Sequence, residues 1–268
     1  MLKILTNTAG ENATVANYVD GATASGYDDY DLISGPRNRS GRSQASTGHI
    51  SFAYAFGVDV EADHMVVARA DKMLTLSSLD MVIRERNSSN VWADVSSTAL
   101  SPIQESHLIG IHEQDYVKQF TPTVQRGYAL RVKTNSADAE ALMLSKLYFA
   151  KGFSFGVEPE KPLQEDDLTE IEEILPPGGK LPYAIEKRIT LIFKSVTRAK
   201  VDEFLALPQI FNWPFFLYDD TASDIALWQH RLEHVVVESC RETWQRRSDV
   251  NLWDIELTLG RLAHNNDE

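Results

Sequence analysis

The 268 residues include 43% hydrophobic and 24% charged side chains, ordinary globular proportions that exclude a disordered or low-complexity fibre and leave enough chain for two domains. Against 39 acidic residues stand 26 basic ones, a formal charge of -13 that repels phosphate backbones and anionic lipid, so nucleic acid is not expected as the main partner. The single Cys240 can close no disulfide within the chain and cannot by itself build a cysteine zinc site.

The start, MLKILTNTAGENATV, lacks the apolar core of a secretory signal, so no export by that route is expected. No apolar run reaches the roughly 20 residues of a membrane helix, so a membrane span is not expected either. In HISFAYAFG, Ile50, Phe52, Tyr54 and Phe56 share one parity, which predicts a strand with one heavily apolar face. The alternation returns in HMVVARAD, LDMVIRER and YALRVKT, with Gly, Asn, Ser and Asp clusters between them as turn chemistry. Residues 1–155 therefore read as an antiparallel β-sandwich.

Residues 156–182 change character, with eight acidic residues between Glu158 and Glu173 opposed there only by Lys161. Clustered like charges resist burial, so the segment reads as an acidic linker, or as an arm to a neighbouring subunit anchored by Ile171, Ile174 and Leu175. Residues 183–268 read as a small α+β unit. KRITLIFKSV predicts a strand with Ile189, Leu191 and Phe193 inward. A short helix follows, with Ser195 or Thr197 as cap, Val201, Phe204 and Leu205 as its apolar face and Pro208 at its end. FFLYD is extended after Pro214. EHVVVESC and LWDIELTLGRL predict a long hairpin whose strands are separated by an arginine-rich excursion between Arg241 and Asn251, and Trp253, Ile255, Leu257 and Leu259 share a face of the second strand.

Motifs for chemistry are sparse. Gly152, Phe153, Ser154, Phe155 and Gly156 spell G-x-S-x-G, but a nucleophile elbow needs a helix after the serine, and Pro159 and Pro162 follow instead. His230 and His234 have the spacing of two ligands on one helix face, without a Glu after the first or an evident third ligand. Asp28, Asp29 and Asp31 read as an exposed acidic turn rather than a calcium site, and Asp219, Asp220 and Asp224 lack the glycine and the bidentate Glu of a calcium loop. No phosphate-binding glycine motif occurs. The expectation is a protein that is no enzyme, with no catalytic residue, cofactor or metal site. Two features suit binding instead: Arg37, Arg39 and Arg42 as a contact for carboxylates, and Trp92 in SSNVWADVSS, on a loop where its ring could stack on a sugar.

The early Asp20–Gly21 pair, RSGRSQ before ISFAYAFG, VVARADKM and the closing GYALRVKTNSADAEALMLSKLYFAKGF resemble the galactose-binding-like jelly-roll sandwich of phage virion proteins. Ser145 and Lys146 stand where that family usually has Ile-Gly. The strand at Arg188 to Lys194, the helix at Arg198 to Leu207, FFLYD and the closing hairpin ending in IELTL resemble the tail-tube-like split barrel of siphophage distal tail proteins. Together these resemblances cover most of the chain. They imply a structural virion protein of a tail tip or baseplate, made in the host cytoplasm. Such a protein forms a ring around the tail axis, of six copies in preference to three, in contact with tube and baseplate-hub proteins. Arg241, Arg246 and Arg247 are then available to acidic groups of a neighbour. The alternative function is carbohydrate binding on a host surface.

Overall fold

A computed structural model describes residues 1–7, 13–17, 41–42, 49–68, 80–94, 116–133, 143–144, 146–160, 164–177, 183–207, 210–219, 232–247 and 250–262. Within them the chain is mainly β, with antiparallel sheets and one helix. In chain order the strands are β1 (Leu2–Leu5), β2 (Ala13–Asn17), β3 (Gly41–Arg42), β4 (His49–Ala68), β5 (Asp80–Arg86), β6 (Trp92–Asp94), β7 (Tyr116–Lys133), β8 (Met143–Leu144), β9 (Lys146–Ala150), β10 (Gly152–Phe153), β11 (Gln164–Ile174), β12 (Tyr183–Thr197), β13 (Phe215–Asp219), β14 (Leu232–Arg247) and β15 (Val250–Leu262); the helix α1 is Arg198–Leu205.

The chain forms two compact units that are nested, whereas the sequence suggests a serial arrangement of 1–155, 156–182 and 183–268. The described residues of the first unit are Met1–Thr6 and those within Gly152–Glu268, and those of the second lie within Asn7–Ser34 and Arg39–Lys151. The reason is β1. Its four residues LKIL lie between β10 and β13, with Ile4 opposite Phe153 on one side and opposite Leu217 on the other, so the first strand of the chain belongs to the sheet of the last third. Short apolar runs of this kind carry no local mark of their partner, and only the ladder decides where they belong.

The first unit is a seven-stranded antiparallel sheet in the order β10-β1-β13-β14-β15-β12-β11. Alternation along β12 and β15 buries Ile189, Leu191, Phe193, Ile255, Leu257 and Leu259 in one cluster, against which α1 lays Val201 and Phe204. Phe155 sits among Phe153, Phe193 and Phe204, with ring centroids 4.5–5.2 Å away. Thr197 caps α1 by accepting a hydrogen bond from the Lys200 N–H, as one of the two expected caps. Ser195, the other candidate, lies in a bulge between Phe193 and Val196 at φ 60°, and its N–H donates to Asp254 Oδ1 at 3.1 Å.

Two segments differ from expectation. The acidic stretch is not a plain connector, since β11 pairs with β12 along the sheet edge. Leu168 and Ile174 pack onto a small cluster of Tyr183, Ile185, Val236 and Leu262, while Asp167 pairs with Lys187 at 3.5 Å and Glu172 with Arg188. Two of the carboxylates, Asp167 and Glu172, thus meet cations of the neighbouring strand, and an acidic edge strand discourages further pairing. The arginine-rich excursion is likewise strand, with β14 and β15 paired from Val235 opposite Arg261 to Arg247 opposite Val250, one register shift between Val237 and Ser239, and two residues between that last pair. The stretch looks like loop because Arg241, Glu242, Thr243 and Gln245 give no apolar alternation of their own, although they pair with a strand whose Ile255 is buried.

In the second unit, one sheet has the order β2-β4-β7-β5-β6, with β9 also on β4, and β3 pairs with β8. Tyr54 and Met65 on β4 are eleven residues apart, roughly 36 Å along a straight strand. Yet Phe149, which pairs with Met65, has its ring 6.0 Å from that of Tyr54 and stacks at 5.4 Å on Tyr128, while the Tyr54 hydroxyl donates to Leu147 O. The β4–β7 ribbon therefore folds back on itself. Its register shifts, between Ala55 and Val60 and between Ala62 and His64, are where it turns from one layer into the next. Lys146, the departure from the family pattern noted above, opens β9 opposite Ala68 and is fully buried.

Candidate functional site

Trp92 is the sequence candidate that the fold sets in a defined environment. It lies not on a loop but at the first position of β6, directly opposite Arg86 of β5. The connection between the two strands is held locally. Asn87 Oδ1 accepts hydrogen bonds from the Ser89 and Val91 N–H groups, Asn87 N–H donates to Val91 O at 3.1 Å, and Asn90 takes the left-handed conformation at φ 64°. Asparagine is suited to both roles, accepting from its own turn and tolerating positive φ.

Because partners across a ladder share a face, Trp92 and Arg86 lie on one side of the sheet with Gly127, and Asp94 and Arg84 lie on that side with Ala129 and Ala53. Tyr54, Tyr128 and Glu85 take the other side. A Cβ at Gly127 would stand 3.1 Å from Trp92 Cη2, 2.7 Å from Tyr54 O and 2.9 Å from Arg86 Cβ. The missing side chain is what lets the half-buried indole settle against the sheet. Asp94 ties the neighbouring cations: Arg131 Nη2 donates to it at 2.7 Å and Arg84 lies 3.0 Å away. Around Trp92 the face thus brings an aromatic ring, the guanidinium groups of Arg84, Arg86 and Arg131 and the Asp94 carboxylate onto a floor of small residues.

Beneath this face, on its core side, is a second polar group. Tyr128 Oη lies 2.8 Å from Thr123 O and 3.0 Å from Val60 O, Thr123 Oγ1 donates to Glu85 at 2.5 Å, and Gln125 donates to Glu85 at 3.2 Å. Burial, with a smaller push from the Glu85 and Glu61 carboxylates, raises the Tyr128 phenol to about 12 against the stabilising bond from Thr123. This group fastens the fold-back of β4 and β7.

The remaining candidates are set apart from one another. Ser154 Oγ accepts from the Gly156 N–H at 3.2 Å, Gly156 has φ 78°, and the chain runs on to Glu160, whose N–H bonds Ile192 O, so the serine stabilises a turn and no helix follows. His234 lies on β14, buried and stacked 4.5 Å from Phe216, so the helix face that would pair it with residue 230 is not formed. His64 is buried beside Asp63, its Nδ1 2.5 Å from the carboxylate. No group of three His, Cys, Asp or Glu side chains suited to a metal occurs among the described residues. Arg37, Arg39, Asp28, Asp29, Asp31, Asp220, Asp224 and His230 lie outside them, as does the Arg42 side chain on β3. Of the proposed arm anchors, Ile174 is spent within the chain, Leu175 is 62% exposed and the Ile171 side chain lies outside the described set.

Residues that sequence reasoning did not group are at the far end of the hairpin. Trp244 lies opposite Trp253. The Arg198 guanidinium stands 4.7 Å from the Trp253 ring and pairs with Asp202 and Glu242, whereas Trp244, on the same face, is 52% exposed. Cys240, on this face too, is held at about 11 by burial and by Glu242.

No protein family and no characterised protein matches the chain in sequence. Several solved structures are similar to part of the chain. A Ruminococcus gnavus GH29 fucosidase in complex with fucose has 15% identity and a TM-score of 0.40, over 56% of this chain and 27% of the fucosidase. Chitosan-binding module 1 of a Paenibacillus chitosanase/glucanase has 11% identity and a TM-score of 0.40, over 54% of this chain and 98% of the module. A Clostridium perfringens carbohydrate-binding module in complex with GalNAc-β-1,3-galactose has 10% identity and a TM-score of 0.40, over 54% and 99%. The chain spans about a quarter of the fucosidase's length.

Proposed function

We propose that the chain is a non-catalytic recognition protein that binds carbohydrate through the Trp92 face of its inserted unit. The observation that carries this reading is the array itself: a half-buried indole beside Arg86, with Arg84, Arg131 and Asp94 on the same side of a rigid sheet. An indole offers a flat apolar surface to the C–H face of a pyranose, and fixed guanidinium and carboxylate groups supply the donors and acceptors its hydroxyls require. Rigid strands hold these groups with little ordering cost on binding. Glycan-array binding of the full chain tests it. The wild type is expected to retain a defined set of glycans and Trp92→Ala to lose about tenfold or more in affinity while keeping its far-ultraviolet circular dichroism. A wild type that retains no glycan, or an alanine variant that binds as well, overturns the proposal.

A second reading rests on the other end of the molecule's chemistry. An exposed Trp244 at the end of an otherwise buried sheet face supports association through the hairpin, and with it the tail-tip ring, the split-barrel likeness and the tube and hub contacts implied by the family resemblance.

A further inference from the structure

Resting on the carbohydrate reading, we infer that the preferred ligand is acidic, a glycan whose pyranose carries a carboxylate, and that Arg86 is the residue that reads that charge. The argument starts from how the three guanidinium groups on this face are employed. Arg84 and Arg131 share one carboxylate, Asp94. Arg86 is half-buried and, among the described residues, no carboxylate and no aromatic ring engages its guanidinium. Its neighbour in sequence, Glu85, cannot serve, since it points to the opposite side of the sheet and receives Thr123 and Gln125. By register this side of β5, β6 and β7 carries Arg84, Arg86, Arg131 and Lys133 against Asp80 and Asp94, a local excess of cations in a chain of formal charge -13.

Arg86 is also well placed. It stands directly opposite Trp92, and its Cβ lies against the space over Gly127, so its stem is fixed by the same packing that holds the indole. A sugar stacked on the ring brings the substituent at its edge to the guanidinium, whose planar fork matches a carboxylate with two parallel hydrogen bonds. A neutral hydroxyl at that position leaves a partly desolvated cation without its counter-charge, so the site discriminates against uncharged sugars as well as favouring charged ones.

The experiment is titration calorimetry of the full chain with tetragalacturonate and with its methyl ester, which keeps the sugar skeleton and removes the charge. The acid is expected to bind about tenfold or more tightly than the ester, with a preference that weakens between 50 and 500 mM salt. Arg86→Gln is expected to abolish the preference, so that acid and ester bind within about twofold of each other, and Arg86→Lys to keep part of it. Equal binding of acid and ester by the wild type, or a preference that survives in Arg86→Gln, overturns this inference while the carbohydrate reading stands. If neither oligosaccharide binds and the glycan array is also blank, both fall. Should Arg86→Gln not fold, the ratio of acid to ester on the wild type decides alone.

Discussion

Tyr128 shows how one side chain can fix a bend and make stability depend on pH. Its phenol must stay neutral where it is buried, and its folded value of about 12 lies above the ordinary 10.0. For an acid raised in the folded state, the stabilisation is complete below pH 10 and is lost as pH climbs through 10 towards 12; two units correspond to about 3 kcal/mol at most. Tyr128→Phe removes both the hydrogen bonds and the titration. At neutral pH it is expected to unfold about 1–2 kcal/mol more easily in urea, and the gap from wild type is expected to close between pH 10 and 12. A gap that stays constant over that range would sink the assignment. Trp92 illustrates what the sequence could and could not say about such residues. Its presence between turn residues was legible, but its value as a site comes from Gly127, thirty-five positions later, and no local pattern links a glycine in one strand to an indole in another.

At the scale of elements, legibility followed burial. In β4, β7, β12 and β15 alternate side chains enter a core, and the period survives in the sequence; α1 was marked by its cap and by Val201 and Phe204. The elements that escaped are those stabilised by charge or by exposure. β11 is held in part by Lys187 and Arg188 on its neighbour, and the outer half of β14 by its ladder and by the Arg198–Glu242 pair, so neither carries an apolar rhythm. The consequence for the hairpin is that its outer part cannot be removed as if it were loop, because Thr243 pairs with Asp254 and Trp244 with Trp253. A point change is the cleaner probe of the second functional reading. Trp244→Ser removes an exposed ring and is expected to change stability by no more than about 1 kcal/mol. If the hairpin makes the contact between copies, sedimentation velocity is expected to show the wild type assembling and the variant shifted towards monomer. Identical sedimentation of the two at high concentration would exclude Trp244 as a contact.

At the scale of the whole molecule, the nested order is the feature with most reach. Leu5 stands opposite Gly152, so the chain leaves the first unit and returns to it at adjacent rungs of one ladder. Ends this close can be joined without moving either strand. A chain in which Asn-Gly replaces residues 6–151 is therefore expected to fold alone, giving a β-rich circular dichroism spectrum and a single cooperative thermal transition. A product that is soluble but unfolded would show that the first unit needs the insertion.

The same junction has a mechanical meaning. Among the described residues, a load applied to the inserted unit reaches its host through β1 and β10. A pull along β1 acts lengthwise on its rungs with β13, from Leu2 opposite Asp219 to Leu5 opposite Phe216. Rungs loaded in that direction must yield together, whereas a strand peeled from its end gives way one rung at a time. A tug on the inserted unit along β1 would thus be met by several hydrogen bonds at once rather than by one after another.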